Sequence, residues 1–343
     1  MSIKTAIIGA SGYTGSELLR VLSSHPEFDV QFATANSKAG QSVHSLYPHL
    51  PAFSHLRMEK IEDVQSDIDA CDLVFIGLPH GKAMDVAPSL KSKVVIDLGS
   101  DFRLKDPALY QTWYKNQHSI PEELPSWTYG LCELFRDDIK KAKRIANPGC
   151  YPTATILALA PLLKEGLIES PITVDALSGT SGAGRSPSEK LHFAHVFEDL
   201  RAYKVTSHQH TPEIEMALSN FSGKETLVSF TAHLAPMTRG IHATCSATGS
   251  EKASRESVFN ALFSAYENEP FVTVTDETPG TKQVRGSNHV VIAPYYDRRT
   301  NRVIVTSVID NLVKGAAGQA IQNANIIFDL PEDCGLTTVG VYP

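Results

Sequence analysis

The stretch IKTAIIGASGYTGSELLRVL, residues 3–22, decides how the first part of the chain reads. Residues 3–8 form a short apolar run of strand type, and Gly9, Gly12 and Gly15 then break it at regular spacing. From Ser16 onward Leu18, Leu19, Val21 and Leu22 recur at helical intervals until His25-Pro26 ends the pattern. Strand, glycine turn and helix in this order make an anion site. Glycines let the backbone approach a pyrophosphate, and the helix N-terminus offers unpaired N–H groups and a positive dipole end. The spacing is GxxGxxG where the dinucleotide fingerprint is GxGxxG, so a tight turn that binds nothing remains the bland alternative.

Residues 29–35, 73–79 and 94–98 read as further strands, with a helix over 82–90 between the last two. Strands alternating with helices predict a parallel, doubly wound sheet over residues 1–149. Past Pro148-Gly149 the texture changes: a helical segment at 152–163 precedes β-rich stretches at 172–178, 226–234, 241–247 and 303–310. A mixed α+β second domain follows, and the Ala-rich segment 315–327 predicts a closing helix. A chain of 343 residues has room for two such domains.

Composition narrows the class. Apolar residues make up 42% and charged residues 20%, an ordinary globular balance that excludes wholesale disorder. The net charge of −7, with scattered basic residues, argues against a nucleic-acid-coating surface, so an anionic ligand needs a local cluster of cations. The N-terminal apolar run is too short for a signal-peptide core, and no stretch approaches the ~18 apolar residues of a membrane span. Five cysteines without a CxxC pair fit reduced thiols, and hence a cytoplasmic protein.

Three groups of residues carry chemistry. An NAD site places an acid at the end of its second strand, but residues 33–40 read ATANSKAG; Ser37 and Lys38 suit a 2′-phosphate, which favours NADP. Cys150 follows Pro148-Gly149 and stands just before Pro152, at a helix start where the dipole and free N–H groups favour a thiolate. Cys71 and Cys245 lie in apolar runs and read as inert. His208 and His210 precede Thr211-Pro212-Glu213, a helix start. In an extended segment the two rings share one face, as a base for a thiol, as two metal ligands, or as structural histidines; no third ligand completes a metal set. Arg103, Arg185 and Arg239 each stand beside a loop, where a guanidinium holds phosphate or carboxylate or simply forms a surface ion pair.

The motifs GASGYTG, DLGSDFRL, NPGCYPTA, SGTSGAGR, HQHTPEI, PMTRGI and KGAAGQAIQNANI occur in an order that resembles the N-acetyl-γ-glutamyl-phosphate reductases of arginine biosynthesis, which are aspartate-semialdehyde-dehydrogenase-like enzymes. The resemblance implies an N-terminal NADP-binding Rossmann domain over 1–149, an α+β catalytic and oligomerisation domain over 150–311, and a C-terminal helix and tail, 312–343, returning to the first domain. It implies Cys150 as nucleophile, His208 as its partner, and His210, Glu213, Arg103, Arg185 and Arg239 around the substrate and its phosphate. It implies cofactor contacts from Gly9, Ser11, Gly12, Tyr13, Thr14, Gly15, Ser37, Lys38, Ser181, Gly182 and Asn288, with no metal and a homo-oligomer, dimer or tetramer. DLGSDFRL departs in having Gly99-Ser100 where the family often reads Ser-Ala, and Asn147 stands at a varying position. Three competitors remain: reduction of an aspartyl or aminoadipyl phosphate, a non-catalytic NADP-binding redox sensor using Cys150, and a zinc protein using the two histidines.

Overall fold

The computed structural model describes residues 2–343 and resolves into two compact units. The first comprises Met1–Tyr110, Asn116–Gly149 and Ala316–Thr337; the second comprises Gln111–Lys115, Cys150–Gly315 and Thr338–Pro343. The chain therefore leaves the first unit at Gly149 and re-enters it at Ala316.

In the first unit, strands β1 (Ile3–Ile8), β2 (Phe28–Thr34), β3 (Met58–Glu59), β4 (Leu73–Ile76), β5 (Val94–Asp97), β6 (Thr128–Tyr129) and β7 (Arg144–Ala146) form one sheet in the order β3-β2-β1-β4-β5-β7-β6. Every pairing in it is parallel. The central β4 and β5 are buried throughout, as the apolar run of β4 and the Val94-Val95-Ile96 run of β5 require for strands covered on both faces, and Asp97 at the end of β5 is buried with them. Strand order reverses between β1 and β4, the switch point at which such sheets bind ligands. The helix Gly318–Ile327 belongs to this unit and packs on the helix Cys132–Ile139, so the expected return of the C-terminal helix is observed. Asn323 on this helix is buried and its amide nitrogen is occupied: Nδ2 donates to Gly130 O at 2.8 Å and to Asn147 Oδ1 at 3.2 Å.

The expected helix at 82–90 is shorter. Helix Ala83–Val86 gives way to a 3-10 turn, Ala87–Ser89, because Pro88 has no N–H with which to continue an α-helical ladder.

The second unit holds β8 (Ile168–Ser178), β9 (Arg201–Tyr203), β10 (Val228–Leu234), β11 (Ile241–Gly249), β12 (Val272–Val274), β13 (Val290–Asp297) and β14 (Arg302–Ile309), ordered β12-β13-β14-β11-β8-β10-β9. The sheet is mixed: β8–β10 and β12–β13 run parallel and the remaining pairs antiparallel. Helix Cys150–Lys164 is buried along nearly its whole length, packing on β11, β14 and the helix His210–Ser222. That burial explains its largely apolar sequence, TATILALAPLL over residues 153–163, in which only Thr153 and Thr155 are polar. Along β8 and β11 buried Val174, Ala176, Ala243 and Cys245 alternate with more exposed Thr173, Asp175, His242 and Thr244, so one sheet face is packed and the other is polar and half-open.

Candidate active site

The glycine turn in the first unit has the geometry its sequence predicts. Gly9 has φ +85°, and a side chain there would meet Gly77 O at 2.5 Å at the end of β4. Only glycine allows β1 and β4 to approach so closely at the switch point. Gly15 lies equally tightly on Ala10, whereas a Cβ on Gly12 would find only Gly9 O, at 3.9 Å. Gly12 caps the helix Tyr13–Leu22 in an extended conformation with no side-chain cap, and the helix therefore starts three residues before Ser16. Its first-turn N–H groups are thus not capped by the Gly12 position. Ser11 and Thr14 are half-buried and Tyr13 is exposed beside them. Ser37 and Lys38 occupy the turn after β2; Thr34 at the end of β2 pairs with Ile8 at the end of β1, so both turns leave the same edge of the sheet.

At the end of β5 lies a charged cluster. Asp97 is fully buried; burial, and then the charge of Asp101, push its carboxyl up to about 7. Asp101 is also buried, yet His80, at 2.9 Å, and the N–H groups of Gly81 and Ala83 hold it below the usual carboxylate range. Arg103 donates from Nε to Asn147 O at 2.8 Å and from Nη2 to Leu98 O at 3.1 Å. Part of this guanidinium is therefore committed to the turn that leads to Cys150. A raised carboxyl binds its proton more tightly in the folded state, so Asp97 costs stability as pH rises from about 4 through about 7. Asp97→Asn is expected to raise the unfolding midpoint at pH 8, a gain that vanishes near pH 4; equal gains at both pH values in thermal melts would refute this.

The second unit gathers the thiol and both histidines. The helix begins at Cys150 itself, two residues before the expected start, and Pro152 is accommodated because the first helical N–H groups have no intrahelical partner. Cys150 is half-buried, and a Cβ on Gly315, in the π-helical turn Val313–Ala317, would lie 2.7 Å from the Cys150 Cβ. The adjoining Tyr151 donates its hydroxyl to His233 O at 3.1 Å and meets the Tyr203 hydroxyl at 3.1 Å. Burial first, and the neighbouring tyrosine and Cys150 after it, push Tyr151 far above the ordinary phenol range. Burial likewise pushes Tyr203 to about 12, with Cys150 adding to the rise.

His208 lies against this group, its ring centre 5.5 Å from Tyr151, 5.5 Å from Tyr203, 5.2 Å from Phe230 and 4.8 Å from His210. Burial, and then the charge of Lys204, lower its pKa to about 4. The ring is neutral at neutral pH. Its Nδ1 accepts the His210 backbone N–H at 3.1 Å, which assigns the ring proton to Nε2 and makes His208 a donor there. The histidines meet without an extended segment: His210 opens the helix His210–Ser222, and Gln209 caps it where Thr211 was expected to. Glu213 is fully buried in its first turn.

The loop carrying Ser181 and Gly182 is stitched to the Arg239 turn: Ser181 donates its N–H to Thr238 O at 3.2 Å, and Gly179 to Gly240 O at 2.9 Å. Arg239 pairs with buried Asp310 at 3.5 Å. Asn311 accepts Gly240 N–H at 2.7 Å and donates to Ser181 Oγ at 3.0 Å. Arg185 lies in the exposed segment beyond this loop, and Asn288 is buried two residues after Gly286, whose N–H Asp310 accepts at 2.7 Å. Tyr151, Tyr203, Asp310 and Asn311 were not among the residues expected from sequence. Only Asp310-Asn311 carried a signal, an Asx pair ending a strand, where Asp310 Oδ1 accepts the N–H of Leu312 at 2.8 Å and of Val313 at 3.1 Å. Cys71 and Cys245 are buried, with the Cys71 thiol pushed up to about 11 and Cys245 higher, as inert thiols should be.

Residues 4–142 match the family described as semialdehyde dehydrogenase, NAD binding domain, and residues 150–311 match semialdehyde dehydrogenase, dimerisation domain. The chain is 47% identical over 348 residues to an N-acetyl-gamma-glutamyl-phosphate reductase of Pelotomaculum thermopropionicum, covering 100% of both proteins. It is 47% identical over 346 residues to the protein of that name from Desulforudis audaxviator, covering 99% of this chain and 100% of that one. Among solved structures it resembles aspartate semialdehyde dehydrogenase II of Vibrio cholerae with a TM-score of 0.74 at 17% identity, over 96% of this chain and 99% of that one, a likeness of fold. With both units matched and near-half identity from end to end, the chain belongs to the N-acetyl-gamma-glutamyl-phosphate reductase family of semialdehyde dehydrogenases.

Proposed function

We propose that this protein reduces N-acetyl-γ-glutamyl phosphate to N-acetylglutamate semialdehyde and inorganic phosphate with NADPH, through a thioester on Cys150. The observation that carries this reading is a cysteine opening a buried helix whose next residue, Tyr151, meets both Tyr203 and the neutral His208, in a chain 47% identical throughout to a reductase of that name.

Cys150 sulfur attacks the acyl carbon and the phosphate departs; the thiol proton leaves with it as hydrogen phosphate, so charge and atoms balance. Backbone N–H groups at the helix start around Cys150 are the donors for the tetrahedral oxyanion. When bound, the nicotinamide supplies a hydride to the thioester carbon. His208 Nε2–H stabilises the resulting oxyanion, whose collapse to the aldehyde expels the Cys150 thiolate, and the thiolate takes one proton from solvent. Arg185 and Arg239 are the anion-binding candidates, Asp310 orients Arg239, and Arg103 steadies the turn at Asn147. His210 and Glu213 complete the substrate surroundings at the start of their helix.

The cofactor fits the first unit. Gly9, Ser11, Gly12, Tyr13, Thr14 and Gly15 would hold the pyrophosphate at an uncapped helix start, and Ser37 with Lys38 the 2′-phosphate at the acid-free end of β2. Ser181, Gly182 and Asn288 are the contacts expected from the second unit. Lys38→Glu is expected to narrow or reverse a preference for NADPH over NADH, because a carboxylate repels the 2′-phosphate; equal kcat/KM for both cofactors in the unaltered enzyme would remove the basis for the assignment. The dimerisation-domain match supports a homo-oligomer, and the half-open sheet face of the second unit suits a dimer contact. No described helix is long and apolar enough to cross a membrane and no disulfide joins the five cysteines, which supports work in the reducing cytoplasm.

The test is phosphate-dependent reduction of NADP⁺ by N-acetylglutamate semialdehyde set beside aspartate semialdehyde and the aminoadipate analogue. A clear preference for the first is expected. Preference for another would change the substrate, and binding of NADP⁺ without phosphate-dependent turnover would favour a redox sensor.

A further inference from the structure

Lys204 belongs to none of the sequence motifs, yet it lies on the segment that joins Tyr203 to His208. Its side chain bends back along this segment, and Nζ donates to Gln209 Oε1 at 2.6 Å. The partner is a neutral amide, so the ammonium keeps its charge and two of its three donors, and the Gln209 amide nitrogen remains as a further donor beside it. The backbone is held in an uncommon shape to achieve this: Lys204 has φ +46° and the β-branched Thr206 has φ +60°, left-handed conformations that persist where surrounding structure enforces them and cluster at ligand sites. The charge is felt at the candidate site, since it is one of the two causes lowering His208. Arg239, by contrast, already shares its charge with Asp310. A protein of net charge −7 that takes a substrate with both a phosphoryl group and a carboxylate needs such an uncommitted cation.

We infer that Lys204, with the Gln209 amide, anchors an anionic group of the substrate beside His208, the free carboxylate being the group that remains after phosphate leaves. This rests on the proposed reaction. It adds a coupling: an anion on Lys204 cancels part of the field that keeps His208 unprotonated. The other groups facing His208 are Tyr151 from the helix Cys150–Lys164, Tyr203 from β9, His210 from its own helix and Phe230 from β10, and neither phenol ionises in the working range.

The experiment compares the unaltered enzyme with Lys204→Gln and Lys204→Arg in the direction that consumes semialdehyde and phosphate, varying each separately. Lys204 is exposed, so the variants should fold alike, which thermal melts verify. Lys204→Gln is expected to raise one KM about five- to fiftyfold, with Lys204→Arg recovering most of the loss. A rise confined to semialdehyde identifies the carboxylate as the bound group, and a rise confined to phosphate identifies the phosphoryl group. Loss of the cation should also move the titration of His208, followed by its ring signals, toward higher pH. Unchanged KM values for both substrates, or equal loss in Lys204→Gln and Lys204→Arg, would overturn the inference, whereas inactivity of the unaltered enzyme would instead overturn the proposed reaction.

Discussion

Cys150→Ser is expected to lower turnover by at least about 10³-fold while leaving NADPH affinity unchanged. Serine keeps the shape at the helix start, including the close approach of Gly315 to the Cβ at position 150. What it loses is nucleophilicity: a hydroxyl is far harder to deprotonate than a thiol, and the field of a helix N-terminus, a few tenths to one kcal/mol in most settings, cannot close that gap. The glycine turn belongs to the first unit and is untouched. Fluorescence titration with NADPH beside steady-state assays checks both halves. Near-normal turnover in the serine variant would end the thioester mechanism.

His208→Ala is expected to cost on the order of 10² to 10⁴ in kcat, the scale of losing a positioned acid or donor. The pH dependence carries the more specific expectation. With its pKa lowered to about 4, His208 stays neutral with the proton on Nε2 down to that pH, so the unaltered enzyme should show no inflection near 6.5 from this group. Stability has the matching sign. A histidine whose folded pKa lies below its unfolded value contributes stability that is present above about 6.5 and is lost as pH falls toward about 4, because the unfolded chain takes the proton first. His208→Ala should flatten that part of the acid denaturation curve. A full-strength acid limb near 6.5 that disappears in His208→Ala would mean that the ring works as an ordinary base and that its burial has been misjudged.

Local rules carried a reader far along this chain, and they stopped where contacts became distant. The first strand, the glycine turn and its helix are legible because apolar spacing and glycine geometry act within twenty residues. Cys150 is legible for the same reason: Pro-Gly ends one segment and Pro152 suits the start of the next. Its helix begins two residues early because a proline among the first helical positions marks the neighbourhood of a start without marking the first residue. Strands β3, β6, β7 and β9 have only two or three residues each, too few for a period to show. The Tyr151–Tyr203 hydroxyl contact joins residues 52 apart, and Asn311–Ser181 joins residues 130 apart. The strand order β14-β11-β8-β10-β9 creates those meetings, and no local pattern encodes it. Gly315 shows the converse, reading as a weak residue in a helix until the nearness of Cys150 explains why nothing larger stands there.

A covalent acyl-enzyme on Cys150 should accumulate when the reductant is omitted. The enzyme is mixed with N-acetyl-γ-glutamyl phosphate in the absence of NADPH, quenched in acid, and analysed by intact mass and peptide mapping while released phosphate is counted. A burst of phosphate equal to the number of active sites and an N-acetylglutamyl adduct on the Cys150 peptide are expected, both absent in Cys150→Ser. An enzyme that turns over with NADPH yet shows neither burst nor adduct without it, or that carries the adduct on another residue, would rule out a thioester on Cys150.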